Sequence, residues 1–149
     1  MTRCFACDTE ADTALVGARL ARHLNAPAFL ALYGELGAGK TALVRGLGQA
    51  LGTLDITSPT FMIVCEHDTK PRLLHFDAYR LSSADELYSI GFAEYLNEDA
   101  LIVMEWADLV ADALPQERLD ITIHGSGEQT RHLSLTPHGT RYERMVATL

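Results

Sequence analysis

The feature that most constrains this chain is the octapeptide GELGAGKT, residues 34–41, directly after the apolar run APAFLALY. It satisfies the pattern G-x-x-x-x-G-K-[ST]. Such a loop implies a buried strand before it and a helix after it, because a phosphate nest needs converging amide N–H groups and the positive end of a helix. Residues 27–33 are apolar without alternation, as in a strand covered on both faces. A helix follows from about Lys40 to Leu51, with Gly52 as its stop. Gly34, Gly37 and Gly39 let the backbone curl, Lys40 reaches the β- and γ-phosphates, and the Thr41 hydroxyl takes a position on Mg²⁺. A glycine-rich turn without a ligand is the bland alternative.

The remaining chain sorts into elements around this unit. TRCFAC reads as a short edge strand, and residues 9–24 as a helix with a capping box of Thr9 and Asp12. Leu15, Val16, Leu20 and Leu24 fall on one side of it. FMIVCEH, RLLHFDAY and ALIVME (100–105) are strand candidates, and SSADELYSIGFAEYL is helical with a break near Gly91. RLDITIHG and RHLSLTP form a hairpin around Gly125–Gln129, and GTRYERMVATL closes with a short helix. The expected fold is α/β and P-loop NTPase-like: a mainly parallel central sheet flanked by helices, with antiparallel edge strands and a C-terminal hairpin. With 149 residues, the expected organisation is one domain, 1–149.

Composition narrows the function classes. Nearly half the residues are apolar, and no apolar run approaches a membrane span. MTRCFACDTEADT has acids where a signal peptide needs an apolar stretch, so the expected location is cytoplasmic. Three cysteines, at 4, 7 and 65, argue against a disulfide framework; Cys4 and Cys7 lack a second pair for structural zinc and read as small core residues. The net charge is −8, and twelve acids against three bases lie between Asp55 and Asp112. No basic patch for nucleic acid is visible. The acidic middle is either a solvated face or a surface for a basic partner.

A magnesium nucleotide needs carboxylates near its phosphates, and two strand ends offer them. LIVME ends at Glu105, the Walker B pattern with Glu for Asp, and LLHFD ends at Asp77. Ligands of a parallel sheet sit beyond the carboxyl ends of its strands. Either acid can hold the metal while the other orients an attacking water; for each alone, a capping or salt-bridge role is an equal alternative. In TSPTF, Thr60 presents a hydroxyl to the γ-phosphate or serves an ordinary turn.

GELGAGKT, SPTF, HFDAYRL, GFAEYL and VMEW occur in this order between Thr13 and Trp106. Together they resemble the bacterial TsaE family, once called YjeE; HFDAYRL and MEW are far more specific than the phosphate loop. The resemblance implies a small ATPase that binds ATP and Mg²⁺ and supports formation of threonylcarbamoyladenosine at position 37 of certain tRNAs. It implies two partner proteins, TsaD and TsaB, with tRNA met only indirectly through that complex and no membrane. Lys40, Asp77 and Glu105 match the catalytic positions, and Thr41 and Glu105 the metal ligands. Thr13, Glu35, Gly37, Ala38, Gly39, Lys40, Thr41, Ala42 and Asp77 match the nucleotide-binding set, while Thr60, Arg80 and Trp106 are switch or support residues. Glu35, Ala42 and Ala107 depart from the common family residues without removing a phosphate or metal ligand. Residues 110–149 match loosely, and no role is carried over to them.

Hydrolysis is expected to be slow alone and stimulated by the partners, with Arg80 the best internal candidate for an arginine finger. Residues 77–98 are the expected partner surface. A small-molecule or nucleotide kinase is the main rival, although 149 residues leave little room for a substrate lid. A GTPase lacks its N-K-x-D segment, and a non-hydrolysing nucleotide sensor is the third reading.

Overall fold

Seven strands form one sheet in the order β1-β7-β6-β2-β5-β4-β3 in the computed structural model, which describes residues 1–149. In chain order the elements are β1 (Arg3–Cys7), α1 (Glu10–His23), β2 (Ala28–Tyr33), α2 (Lys40–Leu51), β3 (Val64–His67) and β4 (Arg72–Asp77). They continue with α3 (Ala84–Ser89), α4 (Phe92–Tyr95), β5 (Ala100–Glu105), β6 (Arg118–His124), β7 (Arg131–His138) and α5 (Thr140–Thr148). A 3₁₀ segment, Ala107–Ala113, follows β5. The four central strands, β6, β2, β5 and β4, are parallel. β3, β7 and β1 are antiparallel to their neighbours.

The apolar runs of β2, β4 and β5 are covered on both faces, and their alternation sorts the core into two layers. Leu30, Leu32, Leu73, Leu101 and Val103 pack under α1, α2 and α5. Phe29, Ala31, Leu74, Phe76, Ile102 and Met104 pack under α3, α4 and the 3₁₀ segment. α1 and α2 make the closest helix contact, made possible by two glycines. A Cβ on Gly17 would lie 2.1 Å from the Leu43 carbonyl oxygen, and one on Gly46 1.8 Å from that of Ala14.

Several local expectations hold. Thr9 and Asp12 form a reciprocal capping box on α1. Gly52 ends α2 in the left-handed region, and Gly91, also left-handed, separates α3 from α4. Others differ. Leu15 is exposed, since it lies one residue, about 100° of helix, before buried Val16. FMIVCEH is extended only from Val64: the Met62 and Ile63 amides both donate to the Pro59 carbonyl, and Ile63 has φ 69°. Cys7 is buried, but Cys4 faces outward near Ser134 because alternate strand positions change faces, so Cys4 is not a core residue. No helix is long and apolar enough to cross a membrane.

Candidate nucleotide and metal site

The parallel strands end at one edge of the sheet, and their last residues set the site. Asp77 and Glu105 are register partners at the ends of β4 and β5, and Leu32 is the partner of Glu105 on β2. Both acids share strand parity with the layer beneath α2, so they emerge next to the loop that joins β2 to α2. Both are buried. Within the loop Gly37 and Gly39 have φ of 81° and 106°, a region open to glycine at no steric cost. No side chain caps the start of α2, so its first amides are free to face an anion.

A cleft of about 520 Å³ lies over this edge, and its walls include Gly37, Gly39, Lys40, Thr41, Ala42, Thr60, Asp77, Glu105 and Trp106. Lys40 is buried and folded back on its own loop. Its Nζ donates to the carbonyls of Gly34 (2.5 Å) and Glu35 (2.8 Å) and lies 4.1 Å from the centre of the Trp106 ring. Burial pushes the ammonium below the usual lysine value, while Glu105, Asp77, Asp108 and Glu35 pull the other way. Trp106 itself has φ 58°, a costly conformation for a bulky residue, and packs against Tyr79 with ring centres 4.9 Å apart.

The two carboxylates differ in their surroundings. Asp77 accepts from Ser58 (3.1 Å) and Thr60 (2.7 Å) on one oxygen and from the Tyr79 amide (2.8 Å) on the other. It thereby ties the TSPTF segment to the sheet, and the Thr60 hydroxyl is turned toward it. Glu105 has one protein donor, His75 Nε2, which bonds Oε2. His75 is fully buried, and its other nitrogen, Nδ1, has no partner. No three His, Cys, Asp or Glu side chains converge as a metal cluster. The oxygens of Thr41 and Glu105 in one cleft nevertheless suit Mg²⁺, which binds through one or two carboxylates and retains several waters.

Thr13 is buried beside Gly39 and lines a second, 140 Å³ cleft with Gly37, Ala38 and Ala42. Glu35 contributes its carbonyl to Lys40, and its side chain is exposed. Arg80 stays outside the main cleft, its guanidinium 4.9 Å from the centre of the exposed Phe61 ring. Arg45 and Glu10 stand in the wall instead. The sequence signal for Arg45 is its position four residues after Thr41, on the same helix face. His75 opens the HFDAYRL motif, two residues before Asp77, and strand alternation places it on the same face. Ser58, one residue before Pro59, had no signal beyond its turn.

This sheet order and its glycine loop define the P-loop NTPase fold class. The model of the family described as "Threonylcarbamoyl adenosine biosynthesis protein TsaE" matches residues 7–133. A Bacillus subtilis protein named "tRNA threonylcarbamoyladenosine biosynthesis protein TsaE" is 41% identical over 122 residues, covering 80% of this chain and 76% of its own. Its Streptomyces coelicolor namesake is 40% identical over 136 residues, covering 85% of this chain and 91% of its own. The crystal structure of Bacillus subtilis YdiB superposes with a TM-score of 0.81 at 33% identity, covering 99% of this chain and 93% of that one. The chain belongs to the TsaE family, whose role is in tRNA threonylcarbamoyladenosine biosynthesis.

Proposed function

We propose that the protein binds Mg-ATP and hydrolyses it in support of a TsaD–TsaB complex that forms threonylcarbamoyladenosine at position 37 of tRNA. The observation that carries this reading is the meeting of Lys40, Thr41, Asp77 and Glu105 in one cleft at the uncapped start of α2. Mg²⁺, when bound, neutralises charge on the phosphate oxygens. The loop amides hold the phosphates, and Lys40 exchanges its two carbonyl acceptors for phosphate oxygens. Thr41 and the free oxygen of Glu105 would hold the cation, and His75 fixes the direction of that carboxylate. Asp77 orients the attacking water beside Thr60. Water adds to the γ-phosphorus, the bond to the β–γ bridging oxygen breaks, and ADP, phosphate and a proton leave. Trp106 closes one side of the cleft and covers the Lys40 ammonium.

With Arg80 stacked on Phe61, Arg45 is the arginine in the cleft wall; a further cation comes from the partner complex, and hydrolysis by the isolated chain is slow. The test is the ATPase rate with and without TsaD–TsaB, run beside Lys40→Ala and Glu105→Gln. Lys40→Ala should lose nucleotide binding. Glu105→Gln should keep binding and lose about 100-fold or more in rate. Hydrolysis by Glu105→Gln at the parent rate would remove Glu105 from the mechanism. Phosphoryl transfer to an added nucleoside or sugar would favour a kinase.

A further inference from the structure

The phosphate loop is held from behind by a residue far from every motif. Arg131, half-buried at the start of β7, donates through Nε to the Ala38 carbonyl (3.0 Å) and through Nη2 to the Gly37 carbonyl (3.2 Å). The same guanidinium donates to the carbonyls of Gln129 (2.6 Å) and Gly127 (3.0 Å) in the hairpin turn. All four acceptors are backbone carbonyls, so the charge stays uncompensated by any carboxylate it contacts. The turn is anchored in its own right: Thr130 donates to Asp8 at 2.8 Å, just before α1.

A trans peptide points its carbonyl and its N–H in opposite directions. Fixing the Ala38 carbonyl toward Arg131 therefore turns the Gly39 N–H away from it, and Gly39 lines the main cleft. That N–H has no protein acceptor, whereas the Ala38 N–H is used within the loop, donating to Glu35 at 3.0 Å. Gly37 and Gly39 have conformational freedom on either side of Ala38, and the loop's own bonds reach the carbonyls of Gly34 and Glu35 but not those of Gly37 and Ala38, which Arg131 holds.

We propose that Arg131 is a positioning residue for the phosphate nest: it clamps the 37–38 carbonyls so that the Gly39 amide faces the anion before any nucleotide arrives. This rests on the nucleotide-binding reading above. Preorganised donors bind without an ordering cost at the moment of binding. A guanidinium can grip both loop carbonyls and both turn carbonyls at once, which an ammonium on a lysine stem cannot.

The experiment compares wild type, Arg131→Met and Arg131→Lys by calorimetric titration with Mg-ATP and by amide hydrogen exchange. For Arg131→Met, exchange should accelerate about tenfold in residues 34–41 and 125–130 alone, and the Kd for Mg-ATP should rise about tenfold or more. Arg131→Lys keeps the charge and should still bind more weakly than wild type. Wild-type affinity in Arg131→Lys would mean that charge alone suffices and would overturn the clamp. Unchanged affinity and loop exchange in Arg131→Met, or acceleration spread evenly over the chain, would overturn it as well. If Arg131→Met does not fold, Arg131→Lys decides by the same readings. Should wild type itself fail to bind Mg-ATP, the nucleotide reading falls, and the exchange comparison still judges the clamp.

Discussion

Glu105 reaches the cleft from the inside of the sheet, with one oxygen held by His75 and the other free of protein donors. A carboxylate accepts, so His75 Nε2 carries the proton, and Nδ1 is left facing the core without a partner. Leaving such a nitrogen unpaired has a cost, tolerated here because the same ring aims the carboxylate. His75→Ala should therefore lower kcat about 10- to 100-fold, as loss of a residue that orients a ligand does. The Kd for ATP should change little, and His75→Gln, whose amide can still donate, should recover part of the loss. Parallel measurement of kcat and ATP affinity checks this; a rise in Kd with unchanged kcat would assign His75 to folding alone. Asp77 plays a different part, because both its oxygens are already engaged by Ser58, Thr60 and Tyr79.

At the level of elements, α2 is placed by two constraints. β2 delivers its first turn to the sheet edge, and Gly46 lets its flank lie against α1. Gly46→Ala drives a methyl into the Ala14 carbonyl, so the helices must separate. The expected loss is about 3 kcal/mol or more, roughly 6–12 °C in Tm for a chain of this size, read by thermal denaturation. Elements of this kind were legible in the sequence because their signals are local: the Thr9 capping box, the Gly52 stop and the unbroken apolar run of β2. The shared edge of Asp77 and Glu105 was legible too, since it follows from strand ends in a parallel sheet. The late start of β3 was not, because Phe61 and Ile63 have strand-forming side chains while the Met62 and Ile63 amides are claimed by the Pro59 carbonyl. Nor were the His75–Glu105 and Arg131–Ala38 contacts, which span 30 and 93 residues and depend on strand register that no short pattern encodes.

Across the whole molecule, charge and apolar exposure are unevenly placed. Asp85, Glu86 and Glu94 are exposed on α3 and α4, over the face opposite α2. Leu36, in the cleft wall, and Phe61 and Met62, directly after Thr60, are exposed at 75%, 85% and 72%. Acidic α3 and α4 fit a basic protein surface better than tRNA. If TsaD–TsaB is the partner, as proposed above, reversing Asp85, Glu86 and Glu94 to lysine should weaken binding to it by about tenfold and flatten the salt dependence, measured by titration at two ionic strengths. Unchanged affinity would move the partner surface elsewhere.

The order of strands has a consequence for how the protein comes into being. β2 lies between β5 and β6, and the guanidinium behind its loop arrives on β7. A nascent chain halted on the ribosome after residue 116 would already contain every residue from Thr13 to Trp106, yet one flank of β2 would be bare and its glycine loop unbraced. Competence for nucleotide would then come late in synthesis, with the last strands to emerge.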